Sequence, residues 1–121
     1  MAKKTIMIVD DDIGDLELIE TIFKEKYEVI KAQNGPEALE KLKTTKPDLM
    51  LIDFFMPEMN GKELLEKIRK NSNLKNIKIV FLTIKRASKA ELEELKTKGV
   101  LCYIAKPFDV KDLIRKIEKI I

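Results

Sequence analysis

The sequence predicts an α/β fold, an open parallel sheet doubly wound by five helices, in one domain spanning all 121 residues. Three observations carry this expectation. Five short apolar runs recur along the chain, and each is followed by a helical pattern. Three of the runs are apolar almost without a break, as strands covered on both faces must be. Hydrophobic residues make up 45% of the chain and charged residues 37%, enough for one core under a charged skin and too apolar for disorder.

The first strand is expected at residues 5–9, with Ile6-Met7-Ile8-Val9 continuously apolar. The helix after it sets Leu16, Ile19 and Phe23 on one face, and Asp12 is placed to cap it. The second run, residues 27–32, mixes in polar residues and suits a sheet edge. Asn34 and Glu37 then form a capping box, Pro36 sits where its missing N–H is harmless, and Leu39 and Leu42 share a face. A third strand at residues 48–52, Leu49-Met50-Leu51-Ile52 within it, leads to a second box, Asn60 with Glu63, and to Leu64, Leu65 and Ile68. The fourth, residues 77–83, holds Ile79-Val80-Phe81-Leu82, and a third box, Ser88 with Glu91, precedes Leu92 and Leu95. The fifth, residues 101–105, again suits an edge; Asp109 caps a last helix bearing Val110, Leu113, Ile114, Ile117 and Ile120.

Composition narrows the chemistry. The chain has no histidine and one cysteine, Cys102, which removes imidazole catalysis, an internal disulfide and cysteine-cluster zinc sites. A net charge of +3 rests almost wholly on lysines that alternate with glutamates along helical faces, the pattern of a solvated surface and not of a nucleic-acid reader. No apolar run approaches the roughly 20 residues needed to cross a bilayer. Met1-Ala2-Lys3-Lys4-Thr5 has no signal-peptide core, so a cytoplasmic location with no membrane partner is expected.

Polar groups gather at the strand ends. Asp10, Asp11 and Asp12 follow the first strand, Asp53 the third; Thr83 closes the fourth, and Lys106 follows the fifth ahead of Pro107. In open α/β sheets these ends bear the functional groups. If the first and third strands are neighbours, their carboxylates crowd together and call for a cation. Oxygen ligands without His or Cys select a hard ion, and few carboxylates in a small open site favour Mg²⁺, for which Mn²⁺ can substitute. A carboxylate beside such an ion can attack a phosphoryl group, while a lysine and a threonine supply a charge and a donor to its oxygens. That inventory suits an aspartyl phosphate.

The stretches Ile8-Val9-Asp10-Asp11-Asp12, Asp53 through Gly61, Phe81-Leu82-Thr83 and Tyr103-Ile104-Ala105-Lys106-Pro107-Phe108 strongly resemble the receiver domain of two-component response regulators. The resemblance implies a flavodoxin-like sheet of strand order 2-1-3-4-5. It implies phosphorylation of Asp53 by a histidine kinase or a phosphotransfer protein, and metal binding by Asp10, Asp11, Asp53 and the backbone carbonyl of Phe55. It further implies that Thr83 and Lys106 sense the phosphoryl group, with Tyr103 the aromatic that turns inward with the threonine. Output would leave through the face from Ser88 to Ile121 towards a protein target, as a monomer or a phosphorylation-enhanced dimer, with no DNA-binding domain and no enzymatic activity beyond its own modification. Ile84, Phe55 and Lys85 depart from the common pattern. Ile84 sets bulk where the family usually has a small residue beside the phosphoryl group. Phe55 and Lys85 set an apolar ring and a charge where side chains influence access of water, so slow hydrolysis is expected.

Two other readings fit parts of the pattern. Asp10-Asp11-Asp12 superficially offers the D-x-D of a haloacid-dehalogenase phosphohydrolase, although that family attacks from the first strand and commonly inserts a cap domain. A degenerate receiver that only binds proteins is the other, motivated by Ile84. A flavin site would need a phosphate loop where the three aspartates repel phosphate, and Gly14 and Asp15 break the order of a calcium loop.

Overall fold

Ile6-Met7-Ile8-Val9 and Leu49-Met50-Leu51-Ile52 have no polar side to turn to water, so both must lie inside a sheet. The computed structural model, which describes residues 3–83 and 88–121, puts them at its centre. The elements are β1 (Thr5–Val9), α1 (Ile13–Phe23), β2 (Glu28–Ala32), α2 (Gly35–Lys41), β3 (Leu49–Asp53), α3 (Gly61–Lys70), β4 (Lys78–Thr83), α4 (Lys89–Thr97), β5 (Val100–Ala105) and α5 (Val110–Ile120). All strand pairs are parallel and the order is β2-β1-β3-β4-β5, as the resemblance implies. The two polar-rich runs are indeed the edges.

Alternate residues of each central strand feed opposite layers. Met7, Val9, Met50, Ile52 and Phe81 pack under α2, α3 and α4; Ile6, Ile8, Leu51, Val80 and Leu82 pack under α1 and α5. Each fully buried aliphatic side chain contributes about 1.5–3 kcal/mol, so these two layers dominate stability. Val110, expected on the buried face of α5, is instead exposed; Leu113 and Ile117 carry that contact.

Capping follows the sequence with one correction. Asn60–Glu63 and Ser88–Glu91 form complete boxes, and the carboxylates of Asp12 and Asp109 accept the N–H groups of Asp15 and Asp112. At α2 only half the box forms. Asn34 Oδ1 accepts the Glu37 N–H at 2.7 Å, whereas the Glu37 carboxylate turns along the helix to Lys41 at 3.2 Å. The i,i+4 pair competes for the same side chain, and a cation one turn on satisfies it.

Three local features aim the strand ends. The pairing of β4 with β5 slips by one residue: Ile79 faces Val100, but Val80 faces Cys102, leaving Leu101 bulged and exposed. Arg69, at the end of α3, donates to the carbonyls of Lys75, Ile77 and Lys98, tying the segments that lead into β4 and β5 to the helix. Gly61 opens α3 against the end of β3. Its N–H donates to the Phe54 carbonyl at 2.8 Å, and a Cβ there would stand 2.9 Å from Phe54 Cα and 3.1 Å from the Asp53 carbonyl oxygen.

The obstacle at Gly61 is backbone, which cannot swing aside. Gly61→Ala should therefore destabilise the chain by about 1–3 kcal/mol, read as a lower denaturant midpoint at unchanged slope. At Gly35 the Cβ would meet only the flexible Met59 side chain, and the loss there should be smaller.

Candidate functional site

β1 and β3 lie side by side with Val9 opposite Ile52, so the residues just beyond each strand come together. Asp53 is the last residue of β3, not the first beyond it, because the Phe54 N–H still bonds the Leu82 carbonyl and prolongs the ladder. Asp10 is wholly buried and Asp53 nearly so, while Asp11 faces solvent. One carboxylate oxygen from each lies within 4.8 Å of the others. Three oxygen donors at that separation, with neither His nor Cys among them, fit a hard divalent cation.

Fixed donors hold the buried carboxylates. Asp10 Oδ1 accepts the Asp12 N–H at 2.9 Å, and its Oδ2 accepts from Lys106 Nζ at 2.6 Å. Asp53 Oδ1 accepts the Phe55 N–H at 3.2 Å. Phe55 stands outside, 43% exposed, its ring edge-on to Phe54 at 71°. Lys106 is pinned at its own backbone, whose N–H donates to the Thr83 carbonyl at 2.7 Å. Its ammonium lies 3.6 Å from Asp53 Oδ2, close enough for attraction but not for a hydrogen bond.

The electrostatics follow from burial and crowding. Burial, and after it the charge of Asp10, push the Asp53 carboxyl up from 3.8 to about 7; the Lys106 charge and the Phe55 N–H oppose this, and a hydrogen bond shared with Asp11 adds to it. Burial alone would pull the Lys106 ammonium down. The hydrogen bonds to Asp10 and Asp15 and the charges of Asp10 and Asp53 outweigh it and push the group up.

Thr83 is buried at the end of β4, and Tyr103 on β5 leans over the same layer. The Tyr103 ring meets Phe81 edge-on at 6.2 Å and Phe54 at 6.4 Å. Burial pushes its hydroxyl up, a hydrogen bond with the Thr83 side chain opposes this, and the Glu91 carboxylate adds to the rise. Tyr103 is thus inward in this structure. Ile84 and Lys85 lie outside the described residues.

One contributor went unread in the sequence. Asp15, on the first turn of α1, accepts from Lys106 Nζ at 2.9 Å. In the sequence it is an acid in a helical first turn, where a carboxylate is favoured by the helix dipole whatever lies beyond it. Only the tertiary approach of α1 to the end of β5 reveals its partner.

The model for "Response regulator receiver domain" matches residues 6–118. Sporulation initiation phosphotransferase F of Bacillus subtilis is 33% identical, over 98% of this chain and 94% of that protein. A protein named histidine kinase P4, from Formosa agariphila, is 35% identical over 98% of this chain, which spans only 9% of its length. Among solved structures, the chemotaxis protein CheY4 of Vibrio cholerae superposes with a TM-score of 0.91 at 29% identity, covering 99% of this chain and all of that one.

The raised Asp53 carboxyl has a sign that can be measured. Its protonated form is favoured by folding, so this contribution is complete below pH 3.8 and is lost as pH rises through about 7. In divalent-free buffer Asp53→Asn should melt higher than the parent, and the gap should widen from pH 5 to pH 8. A gap that is constant or closes with pH would contradict the crowding.

Proposed function

The chain belongs to the response regulator receiver domain family, and on that premise we propose that it accepts a phosphoryl group on Asp53 from a histidine kinase or a phosphotransfer protein. Receiver domains are phosphoacceptor switches and not enzymes in the usual sense. The observation that carries the assignment to Asp53 is the convergence of Asp10, Asp11 and Lys106 on that one nearly buried carboxylate.

Asp53 attacks the phosphorus through a carboxylate oxygen. The new O–P bond forms as the P–N bond of a phosphohistidine breaks, and the leaving imidazole nitrogen keeps the electron pair. Asp10, Asp11, Asp53 and the carbonyl of Phe55 would hold Mg²⁺, which when bound offsets the carboxylate repulsion and orients the phosphoryl oxygens. Lys106 brings its positive charge to an oxygen of the transferred group, and the Thr83 hydroxyl donates to another. Thr83 is hydrogen-bonded with Tyr103, so recruiting its hydroxyl to the phosphoryl group disturbs a contact with β5. The signal would then leave through the face from Ser88 to Ile121 to a protein target, by partner binding or enhanced self-association. No described helix is long and apolar enough to cross a membrane; a cytoplasmic location is part of the receiver reading proposed here.

With acetyl phosphate and Mg²⁺ the intact mass should rise by one phosphoryl group. Chelation or Asp53→Ala should abolish the increment; an undiminished increment in that variant would place the acceptor elsewhere. The exposed Phe55 ring offers no acceptor for a water placed in line behind the phosphorus. Phe55→Asn should therefore shorten the phosphoryl lifetime after donor removal, by roughly tenfold if one positioned water is gained.

A further inference from the structure

Lys106 donates to Asp10 and to Asp15, but not to Asp53, the residue whose modification it would sense. The Lys106 side chain is only 11% exposed, so its ammonium has little water to draw on and is shared among carboxylates. Asp10 is fixed by a backbone donor and wholly buried. Asp15 is different: its carboxylate sits on α1, is 31% exposed, and lines with Leu18, Lys106, Pro107, Phe108 and Val110 a cleft beside the strand ends. It can give up the ammonium to water exchange at little loss, which Asp10 cannot.

We propose that Asp15 is a positioning residue that parks Lys106 short of Asp53 in the unmodified chain and releases it when a phosphoryl oxygen arrives. This rests on the receiver reading of Asp53. A ligand that needs Lys106 finds only the fraction of chains in which the ammonium is unparked, and its apparent affinity falls by that fraction. Asp15 therefore weighs against the modified state and narrows the conditions under which the switch is thrown. The start of α1 does not depend on this carboxylate, because the cap is made by Asp12 accepting the Asp15 backbone N–H. Asp15→Asn should thus fold as the parent does.

The test is a ¹⁹F NMR titration with beryllofluoride, a mimic of the phosphoryl group, at saturating Mg²⁺. Asp15→Asn should bind about three- to tenfold more tightly than the parent. Asp12→Asn is the control, since it removes the same charge from the same helix end, keeps a capping side chain, and has no contact with Lys106 in the structure. It should change the affinity less than twofold. The Lys106 ammonium resonance of the ligand-free chain should move in the Asp15 variant and stay in place in the Asp12 variant. Unchanged affinity in Asp15→Asn would overturn the proposal, and equal gains in both variants would reduce it to a general field effect, which overturns it as well. A parent that binds no beryllofluoride at all would instead remove the receiver reading of Asp53, and this proposal with it.

Discussion

Among the described residues, the strand ends are organised around a shortage of positive charge: Asp10, Asp15 and Asp53 share one ammonium, that of Lys106, and Asp11 stands beside two of them. A buried carboxylate without a partner is costly, and pairing two of them with one lysine leaves the others short. The sheet has to be arranged for even this much. In the order β2-β1-β3-β4-β5, Lys106 starts from the end of an edge strand three strands away from Asp10. A flat sheet would set those strands about 14 Å apart at about 4.8 Å per spacing. Sheet twist, the long lysine stem and the anchoring of the Lys106 N–H on Thr83 together close the distance to 2.6 Å. The deficit that remains is what pushes Asp53 up and what a divalent cation would relieve.

The aromatic layer on the other side of the strand ends is coupled to this arrangement. Phe54 directly follows Asp53, Phe81 lies beneath Thr83 on the same face, and both rings meet Tyr103. The three ring pairs stand 5.3 to 6.4 Å apart, two of them edge to face, and side chains packed this closely pass a displacement on to one another. A displacement of the Thr83 hydroxyl thus has a packed route to β5, through Tyr103 itself and through Phe81. The end of α3 is held separately, at the far end of the strands, by Arg69 on three loop carbonyls.

Much of this was legible in the sequence because it is local or periodic. Continuous apolar runs identified the buried strands, polar admixture identified the edges, and the residues terminating each run named Asp10, Asp11, Asp53, Thr83 and Lys106 before any geometry was known. What escaped had causes in tertiary contact. Asp15 carries no mark that separates an ordinary first-turn acid from one facing a lysine on a distant strand. Glu37 sits where a capping box wants it, but Lys41 competes for its carboxylate. Val110 obeys the helical period and is nevertheless exposed, because the period fixes a face and not how far the neighbouring layer extends over it. The slip between β4 and β5 is likewise invisible, since nothing in the run marks Leu101 as the residue left out of the ladder.

That slip decides which side of the molecule each half of the switch belongs to. Val100 and Tyr103 both pack in the layer under α2, α3 and α4, although they are an odd number of residues apart. In a regular strand they would point to opposite faces. Leu101, bulged out of register, restores the parity: beyond it Tyr103 keeps company with Phe81 while Ile104 joins the α1 and α5 layer, and Lys106 arrives beside Asp15 on α1. Were Leu101 paired in the ladder instead of bulged, the tyrosine and the lysine would trade sides relative to Val100, each facing the other's helices. Leu101 thus acts as a phase shifter for the strand, and its staying out of the ladder is what lets the tyrosine and the lysine keep their separate sides.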